Sequence, residues 1–141
     1  MYRTLLLFAA GIGVGAGLTE KSHRHDDGEN VKVLSSKDIK EKLDGKEAKA
    51  TVVEVTIEPG QSGLPHRHPG PGFGYVLEGQ YELGIDDQPT RVLKAGETFY
   101  EPTGCLHRVS KNPGKMKTRV VAVVLHPRDA KEITVPESRT D

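Results

Sequence analysis

Two histidines stand one residue apart, His66 and His68, in the run LPHRHPGPGFG, and a third stands at His107. On an extended segment, side chains two positions apart project to the same side, so His66 and His68 would present two imidazole nitrogens to one point. With His107 brought into the same cavity, the neutral rings make a site for one divalent transition metal. Iron, manganese, nickel, zinc and copper all suit imidazole. Two further residues have chemistry to offer nearby. Glu101 reads in three ways: a metal ligand, a general acid or base beside the metal, or a solvent-facing strand residue. Cys105, the single cysteine of the chain, would share the face of His107 on an extended segment and could ligate or be oxidised there. We read it instead as a small buried hydrophobe. His23 and His25, beside Asp26 and Asp27, read as part of a solvated tether, because no rigid element orients them.

These side chains need strands to hold them. From residue 49 the pattern has period two: in KATVVEVTIEPG, Val53, Val55 and Ile57 alternate with polar neighbours before a Pro59–Gly60 turn. Short strand-like runs follow in FGYVLE, QYELGI, TRVLKA, TFYEP, LHRVS and TRVVAVVLH, and the tail KEITVPESRTD offers one edge strand. The turn signals between them include Gly79, DDQP, Gly96 and Pro102 to Gly104. Many short strands with tight connections predict an antiparallel sandwich or barrel, an all-β fold. Ahead of them, SSKDIKEKLDG carries a serine cap and a terminal Gly45, which predicts a short N-terminal helix over residues 36–43.

The spacing supports a family resemblance. Gly60, His66, His68 and Gly79 resemble the first conserved motif of the cupin superfamily, and Gly96, Pro102, Gly104 and His107, with Asn112 shortly after, resemble the second. The resemblance covers roughly residues 49–126 and implies a double-stranded β-helix, the cupin jelly-roll barrel, with a metal held near its open end. It also implies a glutamate in the first motif at the position of Gly72, where this chain has none. Three outcomes are open: the metal is held by His66, His68 and His107 alone; Glu101 substitutes for the absent carboxylate; or no metal binds. Burying Glu101 without a partner would be costly. With protein ligands filling only part of a metal's coordination sphere, a small organic substrate could bind at the remaining positions. The resemblance implies an oxygenase first, a metal-dependent isomerase or decarboxylase second, and a non-catalytic sensor or carrier as the alternative class, because fold constrains function weakly.

The rest of the sequence bounds this reading. At 141 residues and 15.4 kDa there is room for one domain. Twenty basic and twenty acidic residues leave no net charge to attract nucleic acid or an anionic membrane. A phosphate-binding glycine loop and a nucleophile elbow are absent from the sequence. Residues 1–17 of MYRTLLLFAAGIGVGAGL read as a signal peptide, too short for a span of roughly 20 apolar residues, and predict export without stable membrane insertion. Residues 18–34 read as a flexible polar linker and 35–141 as the barrel domain. The apolar run VVAVVL would suit burial on both faces of a sheet, which predicts a homodimer.

Overall fold

The dipeptide Asp44–Gly45 sets the first large element. In the computed structural model of the protein, which describes residues 22–24 and 28–137, both residues have positive φ, 50° and 75°. That is the backbone of a two-residue type I′ hairpin turn, which Asp tolerates and Gly adopts freely. It joins two long strands. After a short β1 (Ser22–Arg24), β2 (Glu29–Leu43) runs into this turn and β3 (Lys46–Ile57) returns antiparallel along it. Residues 36–43, expected as a helix, are therefore the second half of β2, and residues 29–34, expected in a linker, are its first half. The physical reason is competition. A helix of two turns is marginal alone, whereas the hairpin pairs β2 with β3 from Glu29↔Ile57 to Leu43↔Lys46, absorbing irregularities after Val33 and Ile39 as bulges.

Eight more strands follow: β4 (His66–Arg67), β5 (Gly72–Glu78), β6 (Gln80–Ile85), β7 (Arg91–Lys94), β8 (Thr98–Glu101), β9 (Leu106–Lys111), β10 (Thr118–Pro127) and β11 (Val135–Pro136). They form two antiparallel sheets, one ordered β1-β2-β3-β10-β5-β8 and the other β11-β4-β9-β6-β7. The described residues contain no helix, and no helix among them is long and apolar enough to cross a membrane. The all-β architecture is thus the one expected. The proposed signal peptide, and His25, Asp26 and Asp27, lie outside the described residues.

The alternation in each strand sorts the side chains. In β3, Val53 and Ile57 are buried, and in β5 the buried positions Gly72, Gly74 and Val76 alternate with exposed Phe73, Tyr75 and Leu77. Ile57, Val76, Tyr81, Leu83, Ile85, Leu93, Phe99, Cys105 and Val120 form one apolar cluster between the sheets. Asn112 is completely buried, donating to the carbonyls of Ile57 and Met116 and accepting from the Gly114 amide. It ties the end of β9 to the end of β3, so its role is structural.

Past β10 the chain turns back toward the cavity. β11 pairs with β4, Val135 opposite Arg67 and Pro136 opposite His66. The Arg67 guanidinium donates to the Glu137 carboxylate at 2.9 and 3.2 Å and to the Gly104 carbonyl at 2.8 Å. The C-terminal segment is thereby strapped over the strand that carries the first histidines.

Candidate metal centre

β4 and β9 are adjacent, and their register puts His66 directly opposite His107. Paired residues point to the same face of a sheet, so the rings meet: the His66 centroid lies 4.7 Å from that of His107 and 4.9 Å from that of His68. One nitrogen from each of the three histidines lies within 4.8 Å of the others. The fourth member arrives from the opposite sheet. Glu101, the last residue of β8, is only 3% exposed. Its Oε1 is 2.7 Å from His107 Nδ1 and its Oε2 is 3.4 Å from His68 Nε2.

Hydrogen bonds behind the rings fix which nitrogen faces inward. His66 Nδ1 donates to the Leu64 carbonyl at 2.8 Å, and His68 Nδ1 donates to the Ile133 carbonyl at 2.5 Å. Each bond fixes the proton on Nδ1 and leaves the Nε2 lone pair for a ligand, the arrangement that supports metal-bound imidazole. Burial, followed by the neighbouring His107, pushes the His66 imidazole down to about 4, so it is neutral at pH 7. For Glu101, burial acts to raise the carboxyl, but the adjoining His107 and, after it, His68 and His66 outweigh burial and hold it below its usual value.

Behind His107 lies a relay. His107 Nε2 and the Tyr81 hydroxyl are 3.2 Å apart, the Tyr81 hydroxyl and Ser110 Oγ are 3.0 Å apart, and Ser110 Oγ donates a short hydrogen bond to the Glu29 carboxylate. Burial, reinforced by Glu29 and Glu101, raises the Tyr81 phenol well above its ordinary value, so it remains a donor. The single Ser110 proton goes to Glu29. Tyr81 must then donate to Ser110 and accept from His107, which places the His107 proton on Nε2 and leaves Nδ1 bare toward Glu101.

The residues present fit a divalent transition metal. His107 Nδ1 and Glu101 Oε1 are buried and lack a hydrogen-bond partner among the described residues. Although 2.7 Å apart, they are not aligned as donor and acceptor. Two converging buried acceptors cost free energy unless a cation joins them. His66, His68 and His107 would hold the metal. The cavity they face has a volume of about 530 Å³, and its walls are largely aliphatic, with Val53, Val55, Val120 and Val124 from the larger sheet and Leu64 and Ile133 near the histidines.

The sequence profile of the cupin domain family matches residues 53–124, about half of the chain. The chain belongs to the cupin family. Among solved structures, this cupin is similar to oxalate oxidase, with TM-score 0.60 and 26% identity, covering 82% of this chain and 59% of that one. It therefore spans less than two thirds of the oxalate oxidase chain. It is also similar in fold to KdgF from Halomonas sp., with TM-score 0.58, 22% identity and coverage of 77% and 87% of the two chains. The polyketide cyclase RemF from Streptomyces resistomycificus gives TM-score 0.62, 21% identity and coverage of 87% and 83%. No match was found among curated protein sequences.

Of the residues singled out in the sequence, the fold brings together His66, His68, His107 and Glu101. Cys105 belongs to the apolar cluster and not to the cavity lining, and burial, followed by Glu101 and Asp86, pushes its thiol up to about 11. His126 is buried at the end of β10, bonded to Thr51 at 2.9 Å and to its neighbour's carbonyl, Pro127 O, at 2.9 Å. Tyr81, Ser110 and Glu29 had no sequence signal as a group. Strict alternation from His107 would put residues 109 and 111 on its face, but the register shifts between Gly84 and Ile85 leave one extra residue on β9 and turn Ser110 inward instead.

Proposed function

We propose that this cupin is a metal-dependent enzyme of the oxygenase kind, acting on a small organic molecule beside a divalent transition metal held by His66, His68 and His107. The observation that carries the reading is the convergence of the three imidazoles at a largely aliphatic cavity of about 530 Å³. When bound, such a metal supplies Lewis acidity and, where redox-active, one-electron chemistry. The protein supplies three imidazoles, the carboxyl group of Glu101 and largely aliphatic walls. A molecule suited to this space has a chelating oxygen pair, as in an enolate, catechol or keto acid, and an apolar body lying against the valines. The likeness to oxalate oxidase supports oxidative chemistry. The cavity's size and apolar walls favour a larger, less polar substrate than oxalate.

Metal analysis of protein purified without a histidine tag tests the first half: near-stoichiometric metal in the wild type, lost in His66→Ala and His107→Ala, is expected. A wild type that holds none and takes up none would end the proposal. Oxygen consumption with a panel of diketones, catechols and keto acids tests the second. Tight binding without turnover would make the protein a sensor or carrier, and conversion without oxygen uptake would make it an isomerase or decarboxylase.

A further inference from the structure

The side chain of Glu101 occupies space that residue 72 leaves free. β5 and β8 pair antiparallel with Gly72 directly opposite Glu101, so both positions face the cavity. A Cβ added to Gly72 would lie 2.8 Å from Glu101 Oε2 and 3.6 Å from Glu101 Cβ. A side chain at 72 would therefore push the tip of the Glu101 carboxylate from its present position. The carboxylate fills the cradle that this glycine keeps open.

Its surroundings show what it was brought there to meet. Among the described residues, Glu101 comes within 4 Å of the ring nitrogens of His68 and His107, and neither Lys nor Arg forms an ion pair with it. The Glu29–Ser110–Tyr81 relay keeps the proton of His107 on Nε2, away from the carboxylate. His68 keeps its proton on Nδ1, bonded to Ile133, and turns Nε2 toward Glu101 Oε2. Two bare imidazole nitrogens thus lie beside a buried carboxyl group whose Oε1 has no hydrogen-bond partner among the described residues. Lone pairs this close repel, and a buried carboxylate with neither a cation nor a hydrogen-bond donor is strongly disfavoured.

We infer that Glu101 is a fourth protein ligand of the metal, delivered from β8 across the strand pair into the space above Gly72. The inference rests on the metal reading of the three histidines and adds a charged oxygen to their set. It also couples Gly72 to Glu101, because the glycine opposite leaves the carboxylate its room.

Cobalt(II) added to metal-free protein tests this, because its visible absorption reports the ligand set and a competing chelator reports its affinity. Wild type should take up one Co(II). Glu101→Gln, which keeps size and fold, should bind about tenfold or more weakly, as expected for loss of a ligand or its support, and with an altered spectrum. Returning the carboxylate to the other strand in the double variant Gly72→Glu/Glu101→Gly should recover most of the affinity. Circular dichroism of each variant separates loss of binding from loss of fold. Affinity and spectrum in Glu101→Gln equal to those of wild type would overturn the inference while leaving the histidine site standing. A wild type that takes up no Co(II) would overturn the histidine site itself.

Discussion

Cys105 stands two residues before His107, a spacing that would place its sulfur at the metal if the segment were evenly extended. The thiol instead joins the cluster containing Ile57, Val76 and Phe99, and β9 begins only at Leu106. Cys105 is not among the residues that line the metal cavity. With its thiol pushed up to about 11, Cys105 is overwhelmingly protonated at neutral pH, and the thiolate is the reactive form. In the native protein, modification by a disulfide reagent at pH 8 should be about 100-fold slower than for a free thiol of ordinary pKa, about 8.5. It should speed up as pH rises toward 11 and become rapid on unfolding. Rapid stoichiometric labelling of the native protein at pH 8 would contradict the burial described. The same scale shows how far the sequence could be read at Glu101. Its type and its place before Pro102 made it a candidate, but only the register with Gly72 shows which way it faces and why it fits.

The hairpin of β2 and β3 was the element least legible in the sequence. SSKDIKEKLDG carries helix-start and helix-stop signals, and the Asp44–Gly45 pair that decides the matter serves equally as a helix stop and as a hairpin turn. Long-range pairing with β3 resolved it in favour of the turn. Replacing Gly45 isolates the backbone contribution, since a Cβ there would meet nothing within 4 Å. Gly45→Val should cost about 1–2 kcal/mol from forcing a side chain into the left-handed region, seen as a lower denaturant midpoint with unchanged slope. A neutral effect would mean the hairpin turn is not held as described. The strands from β3 onward were legible because each buries one face, which imposes period two on the sequence. The β9 bulge was not, because an extra residue shifts the face of everything after it without changing composition.

Over the whole molecule, one outer face stands apart. Phe73, Tyr75 and Tyr100 are 51%, 44% and 51% exposed, with the Phe73 and Tyr100 rings 5.1 Å apart. Val121 and Val123, on the outward side of β10, continue the same surface. The inward side of that strand, Val120 and Val124, is buried, whereas its outward side, Val121 and Val123, is only partly buried by the fold. A surface of this kind favours pairing of two copies through the larger sheet. Light scattering at micromolar concentration should give twice the chain mass for wild type and the chain mass for Phe73→Lys/Tyr100→Glu. A monomeric wild type would remove the dimer from consideration.

The strap formed by β11 has a consequence in time. The carbonyl that orients His68 belongs to Ile133, and the strand that covers His66 ends at Pro136, so the centre is completed by a segment synthesised after every strand from β3 to β10. The barrel strands from β3 to β10 can form their pairings before that segment is free. The anchor of His68 thus arrives after the strands it serves, and tight binding of a ligand at this centre has to wait for residues 133–136.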